Sequence, residues 1–326
     1  MLQVLRRHWP PVVIMIAVAA VVARDVFRSE TKTVNPVLIN DSLQWKLPSL
    51  AALGDDSAAS LIRYGRELIV HTADYLGPAG NVAHLSNGMN CQNCHLDAGT
   101  RAWGNALVAA AATYPVYRPR SGRIETLSFR INDCMQRSLN GAPLDSNSRE
   151  MEAMLAYLRW LGQAIAPHQK PTGVGLASLP FLERAADSAR GRLVYNGQCA
   201  RCHGAGGEGQ PAPGNNGYAY PPLWGPHSFN TGAGLYRISR MAAFVKFNMP
   251  FAQSTHDAPV LSDEEAWDVA AFINSRSRPD KDWSLDWPKI SEKAFDYPIG
   301  PFNDSYPAAQ HKYGPFTKMQ HPAAHK

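Results

Sequence analysis

Apolar residues recur at three- and four-residue intervals in four windows of the chain, the spacing that puts one face of a helix into a core. Two of these windows resemble each other. "LIRYGRELIVHTADYL" (61–76) and "SARGRLVYNGQCARCH" (188–203) both carry Gly-Arg followed by apolar positions at helical spacing. Each predicts a helix leading into the cysteine pair downstream, after a longer loop in the first copy. The other two windows are amphipathic helices with start signals. "SREMEAMLAYLRWLGQ" is capped by Asn147 or Ser148, with Glu150 placed for a capping box with Asn147. "SDEEAWDVAAFINSRSRP" opens on a Ser262–Glu265 capping box, and Pro279 closes the segment. Between the halves, residues 163–179 are rich in Pro and Gly with little periodicity, which reads as a linker. From Asp280 onward the chain is dense in Pro, Trp, Tyr and Phe, too aromatic for disorder, so residues 280–326 read as a tail packing back on the domains.

Bulk properties widen this picture only a little. The 326 residues suffice for two domains with separate cores, and 45% hydrophobic with 18% charged residues is a globular composition. The formal charge of +5 is mild and there is no Lys/Arg run, which argues against nucleic acid as a partner. The N-terminus has a basic start (Arg6, Arg7) and an apolar stretch from Pro10 to Ala23. That is short for a membrane span and suits a signal peptide over residues 1–23, with cleavage before Arg24; the alternative is an uncleaved anchor. Either way the folded part lies outside the cytoplasm, in the periplasm.

Candidate chemistry sits in two copies of Cys-x-x-Cys-His, at Cys91, Cys94 and His95 and at Cys199, Cys202 and His203. In this pattern two thiols form thioethers to a porphyrin and the adjacent imidazole reaches the iron. The alternative, one four-sulfur zinc site, leaves the repeated histidine without a role. Two covalently bound haem c groups are therefore expected. Helix, motif, loops and C-terminal helix, in that order, describe a class I cytochrome c domain. The fold expectation is mostly α: two such domains in tandem, over residues 45–162 and 180–279, with an irregular aromatic C-terminal tail.

The second axial position of each iron decides between electron transfer and chemistry. For the second haem the candidate is Met249, followed by proline between the motif and the last helix; Met241 is the other methionine and Lys246 a nearby nitrogen donor. For the first haem, no Met-Pro lies between its motif and the helix near 148. What lies there is the odd fifth cysteine, Cys134, in "RINDCMQRSLNG". If this segment is helical up to Asn140-Gly141, then Arg130, Cys134 and Ser138 share one face. A thiol among guanidinium groups is available as metal ligand or nucleophile. Its bland reading is a buried free thiol. A thiolate on the first iron lowers its potential and Met/His ligation raises the second, so electrons would run from first to second and out.

Taken together, "RINDCMQRSLNG", the twin haem motifs, "YPPLWGPHSFNTGAGLYR", "FNMP" and "YPAAQHKYGPF" resemble the dihaem thiosulfate dehydrogenases over about residues 45 to 317. The resemblance implies coupling of two thiosulfate ions into tetrathionate, or the reverse, with Cys134 ligating the first haem and forming a sulfur adduct. It also implies a periplasmic or membrane-bound redox partner such as another c-type cytochrome. In parts of that family a lysine close to the methionine shares ligation of the second haem; here Asn248 directly precedes Met249 and the nearest lysine is Lys246. A dianion asks for fixed cationic donors in a partly dry pocket. Arg130 is the best placed, Arg120 and Arg137 are further candidates, and Ser138 can donate a hydrogen bond. The competing reading is a non-enzymatic periplasmic dihaem electron carrier with Cys134 a passive ligand.

Overall fold

The computed structural model describes residues 45–214 and 216–320. The signal-peptide or anchor reading of residues 1–23 lies outside these. Six helices carry the architecture: α1 (Ser57–Val70), α2 (Leu127–Arg137), α3 (Arg149–Leu161), α4 (Ser188–Val194), α5 (Ile238–Asn248) and α6 (Asp263–Ser275). Strand is scarce: β1 (Val116–Arg118) pairs antiparallel with β2 (Arg123–Glu125), and one further two-residue-wide ribbon joins Gln210–Pro211 to Tyr218–Tyr220.

The repeated Gly-Arg has a structural cause. In the first half α1 crosses α3 so closely that a Cβ at Gly65 would stand 1.9 Å from the Ala153 carbonyl oxygen. In the second half α4 crosses α6, and a Cβ at Gly191 would stand 1.8 Å from the Asp268 carbonyl oxygen. Each glycine lets two backbones touch, and each crossing buries its own core. Leu68, Met151, Met154 and Tyr157 fill the first; Tyr195, Ile238, Trp267 and Ile273 fill the second.

Helix starts follow the sequence in part. Ser262 accepts from the Glu265 amide at 3.2 Å while Glu265 accepts from the Ser262 amide at 2.8 Å, the expected capping box. Helix α3 is capped by Ser148, which accepts from the Met151 amide at 3.2 Å, and the Asn147–Glu150 box does not form. Glu150 accepts from the Tyr64 hydroxyl at 2.8 Å instead, because α1 lies within its reach. Helix α2 ends at Arg137, four residues before Gly141, with Ser138 as its cap. Helix α6 ends at Ser275, ahead of Pro279.

The second motif does end a helix: α4 runs through a π turn, Tyr195–Cys199, into Ala200–His203. The first motif does not. A loop follows Thr72–Leu76, and Cys91–Asn93 is an isolated 3-10 turn pinned by the Cys91 amide donating to Thr72 Oγ1 at 3.0 Å.

Residues 163–179 are tied to the first half. The Trp103 amide donates to Gly173 O at 2.8 Å, the Asn105 amide to Gly175 O at 2.9 Å, and Trp45 Nε1 to Thr172 O at 2.8 Å. The tail touches both halves. Phe295 and Phe316 pack edge-on against Phe181 in the second-half core, while the Trp287 amide donates to Arg120 O at 2.7 Å in the first half. Among the described residues no helix is long and apolar enough to cross a membrane.

Candidate functional site

The two motif histidines are held in the same way. His95 Nδ1 lies 2.7 Å from Asn105 O and His203 Nδ1 lies 2.8 Å from Pro221 O. A carbonyl only accepts, so Nδ1 carries the proton and donates, and the neutral ring presents the Nε2 lone pair. Burial favours that neutral form. It pushes His95 down to about 4, against a smaller upward pull from Asn105, and Arg130 adds to the depression. Burial lowers His203 also, with Pro221 opposing. A backbone-anchored imidazole with Nε2 unpartnered is what an axial iron ligand requires.

The remaining donor chemistry fits haem better than zinc. Among the described residues no group of three or more His, Cys, Asp or Glu side chains could hold a metal ion, so the four motif thiols do not assemble as a zinc site. A cavity of about 1050 Å³ is lined by Asn90 and Cys94 of the first motif region and by Cys199, Cys202 and His203 of the second. Phe229, Met241 and Met249 also line it. Against the lining ring of Phe229 packs Arg278, 4.3 Å from the ring centre, its Nη2 donating to Ile273 O at 2.7 Å and its Nε and Nη1 buried and unpartnered. Burial lowers Arg278 to about 10, with Tyr236 opposing. A buried guanidinium beside an apolar crevice fits the carboxylate of a porphyrin propionate. The motif residues of each half would hold one haem.

Met249 is the C-cap of α5 and faces this cavity, as does the buried Met241. Lys246 is tied away: its ammonium donates to Leu261 O at 2.6 Å and pairs with Asp263 at 2.8 Å.

Cys134 stands on α2 in a different environment. Its charge raises Arg130 above the ordinary guanidinium range, outweighing burial, with Asp133, Tyr114 and Glu125 adding. It also reaches Cys91 and Cys94: burial first, and Cys134 as a further cause, raise these to about 11 and about 12 as free thiols. Cys134 is thus beside the first attachment site, one turn from Arg130. Ser138 lies one turn on, its amide donating to Cys134 O at 2.8 Å.

The residue that organises this wall is Asp133, which is buried. Arg120, Arg130 and Arg137 all bond its carboxylate, Arg130 at 2.8 Å and Arg137 at 2.6 Å. Burial would raise Asp133, but the three arginines outweigh it and hold it below the ordinary carboxylate value. Arg137 also forks onto Asp286 of the tail at 2.7 and 2.9 Å. Arg120 reaches the Tyr297 hydroxyl at 3.4 Å. Buried Asn230 of the second half donates to Gln136 O at 2.8 Å and Asn140 Oδ1 at 2.9 Å, locking α2 to the other domain. Sequence reading brought Arg120, Arg130, Cys134 and Ser138 to one region and missed Asp133 as their hub. Its signal was present: one acid within a helix turn of two arginines.

Residues 81–164 match the SoxA/TsdA cytochrome c domain family, and residues 188–277 match the cytochrome c family. The chain is 40% identical over 238 residues to a thiosulfate dehydrogenase of Allochromatium vinosum, covering 72% of this chain and 84% of that protein. It is 38% identical over 232 residues to one of Stutzerimonas stutzeri, covering 71% and 72%. It is 34% identical over 261 residues to one of Thiomonas intermedia, covering 80% of each. Among solved structures it is similar to the thiosulfate dehydrogenase TsdBA from Marichromatium purpuratum in its as-isolated form, with TM-score 0.68 and 33% identity. That match covers 80% of this chain and 54% of the other, so this chain spans about half the length of that one. Two cytochrome c domains stand in tandem here, with two covalently bound haem c groups. The chain belongs to the thiosulfate dehydrogenase family.

Proposed function

We propose that this protein couples two thiosulfate ions into tetrathionate at the first haem, with Cys134 as the covalent station and the second haem as the electron exit. The observation that carries the reading is Cys134 itself: an exported-type chain's odd thiol, near enough to the first attachment cysteines to act on both and the largest single influence on the Arg130 guanidinium. When bound, the two haems supply two one-electron acceptors and thereby match the two electrons released.

Two dianions brought to contact repel by on the order of 10 kcal/mol at intermediate dielectric. Cys134 divides that encounter. Its thiolate sulfur forms a bond to the outer sulfur of the first thiosulfate, and two electrons leave. The carried group now has one negative charge, and the cysteine none. The outer sulfur of a second thiosulfate attacks the sulfur bound to Cys134; that bond breaks, its electron pair returns to Cys134 as thiolate, and tetrathionate leaves. No proton is exchanged. Run backwards, the same steps reduce tetrathionate. Arg130, with two guanidinium nitrogens beyond the one on Asp133, and Ser138 are the donors facing the anion; Arg120 and Arg137 hold Asp133 and so position Arg130.

His95 and Cys134 would ligate the first iron, His203 and Met249 the second. The apolar stretch from Pro10 to Ala23 supports export to the periplasm, and a c-type cytochrome is the natural acceptor for electrons leaving the second haem. A steady-state assay with thiosulfate and ferricyanide tests the reading. It expects thiosulfate-dependent ferricyanide reduction with one tetrathionate per two ferricyanide; a dihaem protein inert toward thiosulfate would be a carrier.

A further inference from the structure

The arginine wall around Cys134 is almost fully neutralised by the protein. Arg120, Arg130 and Arg137 face Asp133 and Asp286, and Glu125 is buried beside Arg130. Arg237 is paired with Asp296, Nε to Oδ1 at 3.0 Å. So neutralised, the wall can bond an anion that has arrived but exerts little long-range pull on one approaching. Two cations remain. Arg118 ends β1 in the first domain, and Arg240 stands on α5 in the second. Neither side chain makes a hydrogen bond or ion pair among the described residues, and both are exposed.

Their placement is set by one turn of the tail. Asp296 holds Arg237, and Tyr297 lies under the Arg237 guanidinium at 5.4 Å while its hydroxyl bonds Arg120. The start of α5 therefore sits against the same turn as the α2 wall, and Arg240 is the next residue after Arg237 on that face, its amide donating to Arg237 O at 3.1 Å. Across the boundary, Arg118 follows Tyr114 and precedes Arg120 on the segment that brackets Arg130. Crowding by protein atoms depresses Arg240 first; Arg237 adds, Asp296 opposes, and Arg118 and Arg130 depress it further. Arg118 of the first domain and Arg240 of the second thus repel through space, with Asp296, already bonded to Arg237, the one carboxylate acting on Arg240; an incoming anion relieves that repulsion.

We propose that Arg118 and Arg240 are the docking cations for thiosulfate arriving at Cys134, so that the substrate site is completed only where the second domain meets the first. This deepens the thiosulfate reading above and rests on it. Two charges of one sign suit one dianion, and their exposure lets them capture it before it reaches the drier wall behind. The second domain then contributes to substrate binding as well as to electron exit.

The test is made on the dihaem holoprotein, with Arg240→Gln, Arg118→Gln and the charge-keeping Arg240→Lys. Arg240→Gln and Arg118→Gln each raise KM for thiosulfate by roughly tenfold or more and lower kcat less. The fall of kcat/KM with rising salt becomes shallower. Inorganic sulfate, an unreactive dianion, loses potency as a competitive inhibitor in proportion. Arg240→Lys recovers most of both losses, and the haem spectra and both midpoint potentials stay as in the unaltered protein. Unchanged KM and sulfate inhibition in both glutamine variants overturn the proposal while leaving the thiosulfate reading intact. A shifted midpoint potential without a KM change overturns it too, because the guanidinium then serves a haem carboxylate. If the unaltered protein does not turn over thiosulfate, the reading of the site falls and this proposal falls with it.

Discussion

The two halves of the molecule attach their cofactor by the same five-residue pattern, anchor the histidine by the same Nδ1-to-carbonyl bond, and close their helices over a glycine in the same way. What differs is the wall opposite. In the second half it is apolar: Met249 and Met241 among Phe229, Leu235 and Ile273. In the first it is a thiol on a helix whose neighbours are three arginines locked on a buried aspartate. A thioether in an apolar wall favours ferrous iron and needs no substrate, whereas a thiolate among cations favours ferric iron and offers a nucleophile to an anion. On the function proposed above, one fold becomes a reactive half and a conducting half by changing one wall.

The largest stability effect should come from removing the hub of the reactive wall. Asp133→Asn leaves three guanidinium groups facing each other without their shared counter-charge, a change of about 3–5 kcal/mol for a broken buried ion pair. Urea unfolding of the holoprotein reads it; a loss below 1 kcal/mol would mean that the wall does not depend on Asp133. Acid should act at the same place. A carboxyl held below its ordinary value stabilises the fold fully above about pH 4, and that contribution disappears as pH falls through the depressed folded value. The urea midpoint should therefore decline below about pH 4, and decline less in Asp133→Asn.

Next in size is Arg130→Ala, which should reduce thiosulfate turnover by about 2–4 kcal/mol of transition-state stabilisation with little change in the spectrum of the second haem. The equivalent change on the conducting side is Met249→Gly. It should abolish the methionine-to-iron charge-transfer band and lower only the second midpoint potential. Survival of the band would make Met241 the ligand. Gly65→Ala and Gly191→Ala probe what the halves share: each should destabilise its own half by about 1–3 kcal/mol through overpacking, seen as earlier thermal loss of that haem's Soret signal. The smallest effect is Ser262→Ala, about 1 kcal/mol for a lost cap, with turnover unaltered.

Much of this contrast was legible because its signals are local. The haem motifs, the Ser262–Glu265 box and the Gly-Arg repeats each lie within a few residues, where spacing alone speaks. Cys134 stood out by arithmetic, as the fifth cysteine. The hub was harder. Asp133 beside Arg130 and Arg137 looks like a solvated helix face until Arg120 arrives from the preceding loop and tail packing removes the water. That the tail packs back was legible from its aromatic composition, but its pairings were not: Asp286 meets Arg137 across 149 positions and Asp296 meets Arg237 across 59, and nothing in local pattern pairs them. Ser148 took the cap from Asn147, and Glu150 turned to Tyr64, because α1 supplies a tertiary donor that no window of the sequence contains.

The central claim is that the wall bearing Cys134 performs the chemistry, and Cys134→Ala tests it directly. Both haems should remain attached, since the thioethers use other cysteines, and a redox titration should show the first midpoint potential raised and the second unmoved. Thiosulfate turnover in the same preparation should fall by three or more orders of magnitude, about the scale of a lost covalent nucleophile. A Cys134→Ala protein that keeps both haems and still forms tetrathionate at near-normal rate would contradict the account and leave the thiol a ligand alone.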